Sequence, residues 1–346
     1  MSATETHLAK PRAAPDKGVG WWLIAVCVLL IAMILIGGAT RLTGSGLSIT
    51  EWKPVTGAIP PLSDAHWAAE FEKYRQTTQF RQVNPDIHID DFKVLYFWEW
   101  GHRFLGRIIG LVFAAGFFFF WWRGRLKGRF WACAALLGMG AAQGAVGWWM
   151  VTTGLDARIA VAPQALATHL GLAFIILALA WRLALEAFDW PSRAGELGVR
   201  YLDWIFAAAL FVQIILGAFM AGSGAGLAYS DWPLIGGEVI PSTYGALTPF
   251  VENFFSNHAA VQFNHRTAGY LVWGLAAAIA AVAWSKAQGA AKPTAYVLFA
   301  IACVQVLLGI GAIVMGAPLS MNLIHQGGAV ALWLAAHSLI GAKSVR

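Results

Sequence analysis

The chain has 346 residues, of which 58% are apolar and only 12% charged, where a soluble domain carries about 25% charged residues. With a mean hydropathy of +0.61, this argues against a soluble enzyme, a disordered chain and a nucleic-acid-binding domain. The net charge of +6 matters more by its distribution than by its sum.

In chain order, residues 1–19 form a polar tail. Eight apolar runs follow, at roughly 20–38, 95–121, 131–152, 159–184, 204–222, 259–284, 295–316 and 319–341. Each is about as long as the 20 residues that a bilayer core requires of a helix. The second and sixth runs carry charges near their starts. Only Ala317 and Pro318 separate the last two. The three cysteines, Cys27, Cys133 and Cys303, all lie in apolar runs, and no CxxC occurs. A disulfide framework, a zinc ribbon and a covalently attached c-type heme are therefore not expected.

Lys and Arg set the expected orientation. Lys10, Arg12 and Lys17 precede the first run, and Arg123, Arg125, Lys127 and Arg129 join the second to the third. Arg193, Arg200, Lys286, Lys292, Lys343 and Arg346 fall on the same side. The opposite side holds two long loops, 39–94 and 223–258. The first balances six basic residues with seven acidic ones, and the second has no Lys or Arg. The expectation is a multi-pass protein of the cell (inner) membrane with both termini cytoplasmic.

The two halves repeat one another. Gly44-Ser-Gly46-Leu-Ser-Ile-Thr-Glu51-Trp52 matches Gly224-Ala-Gly226-Leu-Ala-Tyr-Ser-Asp231-Trp232 at an offset of 180. Gly101-His102-Arg103 matches Asn264-His265-Arg266, Gln143 matches Gln305, and His169 matches His325. A parallel repeat of this kind implies a pseudo-twofold axis along the membrane normal. The expected fold is an all-α integral membrane protein of eight transmembrane helices in two four-helix bundles. The bundles span 20–188 and 201–346, with a linker at 189–200.

His102, His169, His265 and His325 lie inside apolar helices, where an ionisable group is costly and a functional role is the default. Two facing imidazoles inside a four-helix bundle are what a six-coordinate heme needs. Gly106, Gly110, Gly269 and Gly328 would give a flat porphyrin clearance. Simple hydrogen bonding across helices and a copper or zinc site are the alternatives. His7, His66, His88, His258 and His337 read as solvated or interfacial. Arg103 and Arg266 follow their histidines and suit heme propionates, or snorkel to headgroups. Arg107 has no basic counterpart, since Tyr270 stands there.

The halves differ three residues before the histidine, where Gln262 stands in place of Glu99. This asymmetry makes the N-terminal half the catalytic candidate. Glu99 is either a proton donor or acceptor, or an interfacial partner of Arg103 or Arg107. Residues Asp64 to Phe80 read as one amphipathic helix with Trp67, Phe71 and Tyr74 on its apolar face. It is either a lid over a lipophilic substrate or interfacial packing.

The stretch Gly37 to Ser48, Glu99-Trp-Gly-His102-Arg103, the helix around His169, Asn264-His265-Arg266 and Leu323-Ile-His325-Gln326 together resemble the heme A synthase family, over residues 20 to 341. The resemblance implies oxidation of the C8 methyl of heme O to a formyl group, giving heme A for terminal oxidases. It implies heme b on His265 and His325, and substrate heme on His102 and His169, with Glu99 catalytically important. A heme O synthase, oxidase assembly factors, an electron donor, membrane lipid and a homo-oligomer are the partners it suggests. Some members carry a Cys pair in the first outer loop. Residues 39–94 have none, so this chain resembles the branch lacking the pair. The competing functions are a diheme b-type cytochrome fed by quinol and a non-enzymatic heme carrier.

Overall fold

The computed structural model describes residues 14–155, 157–190, 200–286 and 291–340. Among these are ten α-helices and no strand. They are α1 (Lys17–Leu42), α2 (Asp64–Arg75), α3 (Thr78–Val83), α4 (Ile89–Trp122), α5 (Phe130–Leu155), α6 (Pro163–Ala187), α7 (Arg200–Ser223), α8 (His258–Lys286), α9 (Ala291–Val314) and α10 (Leu319–Ile340). All but α2 and α3 are long and apolar enough to cross a membrane. The polar tail and the linker expected at 189–200 lie largely outside the described residues.

Helices α1, α4, α5 and α6 neighbour one another in a ring, and α7, α8, α9 and α10 form another. The rings join mainly through α6 against α7, helped by α10 against α1 and α6. Small residues allow this. Ala165, Ala180, Ala184 and Ala187 of α6 are buried, and a Cβ on Gly222 would come within 2.9 Å of the Pro163 backbone. In lipid, such close approach replaces the hydrophobic effect as the force between helices. Gln326 of α10 donates to Ile34 O of α1 at 2.8 Å, and Trp333 Nε1 to Phe174 O of α6 at 3.0 Å.

At one end, Arg125 pairs with Asp16, while Arg129 reaches Ala14 O and Glu186. Exposed Trp21, Trp121, Trp122, Trp131 and Trp284 ring this basic end, as an interfacial aromatic belt does. The long loops occupy the other end.

Several boundaries differ from expectation. Helix α4 starts at Ile89, six residues early, because Asp91 accepts from the His88 N–H at 3.1 Å and two acidic residues favour the first turn. Helix α6 starts at Pro163, which suits the first helical position. The α9–α10 turn takes four residues, with Gly316 and Ala317 both left-handed. The Asp64–Phe80 segment is two helices. Thr77 Oγ1 donates to Tyr74 O, ending α2, and accepts from the Phe80 N–H, starting α3. Trp67, Phe71 and Tyr74 pack on Phe92 and Tyr96 of the protruding part of α4. His337 is buried against Trp333, with ring centres 4.4 Å apart, rather than solvated.

Lys73 joins α2 to the first loop by bridging Glu51 and Glu70, and Lys53 adds a second contact to Glu51. Lys53 and Lys73 hold the Glu51 carboxyl below its ordinary range. A depressed carboxyl contributes stability above its unfolded pKa of about 4.3 and loses it as pH falls through the folded value. Proteolysis of this loop should therefore accelerate below about pH 4, and Glu51→Gln should flatten that dependence.

Candidate functional site

Both repeated loops begin alike. Gly44 and Gly224 are left-handed, with φ of 69° and 75°, and end α1 and α7. Thr43 Oγ1 donates to Ala39 O and Ser223 Oγ to Phe219 O. Each loop is then pinned by the arginine after the repeated histidine. Arg103 donates to Glu51 O and Ile49 O, and Arg266 to Asp231 O and Leu234 O. Glu51 and Asp231 are themselves equivalent, so the pin is duplicated. Arg107 likewise holds Lys53 O and Pro54 O, both at 2.8 Å. Arg103 and Arg266, the arginines expected at propionates, and Arg107, a further cofactor-binding candidate, thus each give two hydrogen bonds to loop backbone. Arg107 Nη1 and Arg266 Nε are left buried without a partner, and both residues line the central cavity.

Glu99 and Gln262 are both buried and perform parallel tasks with opposite polarity. Glu99 accepts from Ser48 Oγ and the Ile49 N–H, each at 2.8 Å, and from Arg103 Nη2 at 2.6 Å. Gln262 donates to Ala225 O at 2.7 Å and Tyr229 O at 3.0 Å, while its oxygen accepts from Arg266. The N-terminal half therefore neutralises its arginine with a carboxylate, and the C-terminal half answers with an amide.

The four histidines form two pairs across their bundles. His102 and His169 have ring centres 6.4 Å apart, and His265 and His325 6.5 Å. A metal ion bonded to one nitrogen of each ring at about 2 Å leaves about 6 Å between ring centres. Each pair therefore fits a single iron between its rings. Among the described residues no group of three or more His, Cys, Asp or Glu is placed to hold a metal ion. Two imidazoles per site suit an iron whose other four donors come from a porphyrin.

A glycine on the preceding long helix backs every one of these rings. A Cβ at Gly37 would lie 3.1 Å from His102 Nε2, and one at Gly147 2.9 Å from His169 Cε1. At Gly217 it would lie 3.2 Å from His265 Cε1, and at Gly309 2.9 Å from His325 Cε1. Gly37 and Gly217 share the 180-residue offset of the loops, and Gly147 and Gly309 share that of Gln143 and Gln305. Those offsets were the available signal in the sequence. Gln143 and Gln305 brace the second histidine of each pair, donating to His169 O at 3.0 Å and His325 O at 2.9 Å.

Both pairs line one cavity of about 1050 Å³, beyond the usual range of about 300–1000 Å³ for a single small ligand. Gly106, Gly110 and Gly269 line it, while Gly328 packs against Gln305 instead.

Comparison with known proteins gives the family. The family model described as "Cytochrome oxidase assembly protein" (COX15-CtaA) matches residues 20–337. The chain is 48% identical over 323 residues to the Heme A synthase of Maricaulis maris, covering 92% of this chain and 94% of that protein. It is 50% identical over 324 residues to the Heme A synthase of Paracoccus denitrificans, covering 90% and 84%. A third such relative, from Caulobacter sp. (strain K31), is 43% identical over 327 residues, covering 93% and 94%. Eight membrane-length helices, a duplicated imidazole pair and these matches place the chain in the COX15-CtaA cytochrome oxidase assembly family.

Proposed function

We propose that this chain is a membrane oxidoreductase that converts heme O to heme A by oxidising the C8 methyl to a formyl group. The observation that carries the reading is the imidazole pair repeated in one cavity, in a chain whose relatives are named Heme A synthase. The two halves are read as bundles related by a pseudo-twofold axis, with the substrate in the N-terminal one. His102 and His169 hold the substrate heme, and His265 and His325 hold heme b. Heme b would supply storage and relay of electrons.

The remaining tasks belong to side chains. Arg103, Arg107 and Arg266 fix the outer loops over the cavity, and the free donors of Arg107 and Arg266 suit carboxylates at its mouth. Glu99 sets Arg103 and the Ser48–Ile49 backbone and is the residue proposed to handle protons. The basic end, with its arginines and tryptophans, supports a cytoplasmic placement of that end in the inner membrane. A heme O synthase, assembly factors and an electron donor are the expected partners.

Purified protein supplied with heme O and a reductant in air should yield heme A on extraction and mass analysis. Unaltered heme O with two equal heme b per chain would instead establish the electron-transfer cytochrome.

The glycines make the sites separately testable. A methyl at Gly309 would displace the His325 ring, so Gly309→Ala should weaken retention of heme b by about tenfold or more. Gly147→Ala should do the same to the N-terminal site and spare heme b. The check is heme content per chain after gel filtration.

A further inference from the structure

The two bundles close differently on their bilayer side. In the C-terminal half, Trp273 of α8 spans the seam to α9. Its Nε1 lies 3.4 Å from Cys303 Sγ, and its ring centre 6.0 Å from that of Phe299. Helices α8 and α9 pack extensively against each other. The equivalent seam, between α4 and α5, is built from Gly110 where the other half has Trp273 and from Gly144 where it has Val306. A Cβ placed on either glycine meets nothing within 4 Å. Both are exposed and both line the cavity. Helices α4 and α5 approach each other much less. The ring contacts between them, Phe117–Phe130 and Trp121–Phe130, sit at the basic end.

The opening therefore begins near the His102–His169 pair and runs toward the basic end. Gly110 follows His102 by two helical turns, about 12 Å along the axis. It would join an imidazole pair to the lipid outside the bundle. A resident cofactor with no long substituent needs no such exit. A substrate heme that carries an isoprenoid chain does, because that chain adds bulk beyond the porphyrin and is as apolar as the lipid outside.

We propose that the α4–α5 seam is the seat and side entrance of the substrate's isoprenoid tail, and that Trp273 seals the corresponding seam of the cofactor half. This rests on the reading of the N-terminal half as the substrate half. It makes Gly110 and Gly144 specificity-determining positions for a tailed heme over an untailed one.

The test is binding, not turnover. Purified full-length protein in nanodiscs, already holding its heme b, is titrated optically with heme O and separately with tail-less heme b. The variants are Gly110→Trp and the milder Gly144→Val, each copying the other half. Retained heme b on His265 and His325 reports that a variant is folded. In a folded variant, heme O binding should weaken by at least about tenfold, as the lost burial of an apolar chain requires. Tail-less heme should bind Gly144→Val as it does the wild type, and any loss of it in Gly110→Trp should be much smaller than the loss of heme O. Unchanged heme O affinity in both variants overturns the proposal. So does equal loss of both hemes, which would make the seam part of the porphyrin pocket. If either variant misfolds, the other decides on the same criteria. Wild-type protein that binds heme O preferentially but never converts it would leave the seam standing and remove the catalytic reading. Wild-type protein that does not bind heme O removes both.

Discussion

His265→Ala protein should emerge from purification with its heme b reduced by more than about tenfold, while heme O still binds the other half. The argument is geometric. His265 and His325 face each other at 6.5 Å across one bundle, and the pair His102 and His169 belongs to the other. With one imidazole removed, His325 alone would be left to hold the heme. Gln213, whose amide nitrogen lies 3.5 Å from His265 Nε2, is a poor substitute for an imidazole. The fold should survive, since the loop pin is made by Arg266 and Gln262 rather than by the histidine. Pigment extraction with mass analysis reads both sites at once. If His265→Ala instead removed heme O and spared heme b, the assignment of the two halves would have to be exchanged. If both pigments fell together in a folded protein, the sites would not be independent.

How far the sequence could foretell this follows from what each feature depends on. The spans were legible because a bilayer imposes length and apolarity on every helix. The histidine pairs were legible because duplication repeats a costly residue at matched positions, and cost selects for purpose. The glycines behind the rings were harder. Gly37 and Gly309 gain meaning only once α1 is known to lie beside α4, and α9 beside α10. The arginines carry a second task that the sequence hides. Arg103 and Arg266 have the right charge and depth for propionates, yet each donates to backbone carbonyls of a loop about 30 to 50 residues earlier. Such a partner leaves no periodic trace. His337 was misplaced because its position near a helix end does not reveal that Trp333 covers it. The break at Gln76 and Thr77 was signalled only by a hydroxyl that can cap in both directions.

Glu99→Gln should lower turnover by about a hundredfold or more while leaving heme b and the fold in place, as expected when a group that moves protons is removed. The second half shows why the fold tolerates the change. Gln262 occupies the same position, is equally buried and accepts from Arg266 as Glu99 does from Arg103. A glutamine at 99 can keep the Arg103 bond through its oxygen. Its amide then meets Ser48 Oγ, which can rotate to accept, and the Ile49 N–H, which cannot. One buried N–H left unmatched costs about 1–3 kcal/mol, a measurable drop in thermal stability short of unfolding. Ser48→Ala provides the control. It removes a bond to the same carboxylate without removing the carboxylate, so it disturbs position and leaves the proton-handling group. Its turnover should stay within about threefold of the wild type, given that a neutral hydrogen bond contributes about 0.5–1.5 kcal/mol. The pH profile separates the two roles further. A protonic role for Glu99 predicts that one limb of the profile disappears in Glu99→Gln and persists in Ser48→Ala. Full turnover in Glu99→Gln would reduce Glu99 to an anchor, the task that Gln262 performs in the other bundle without any charge.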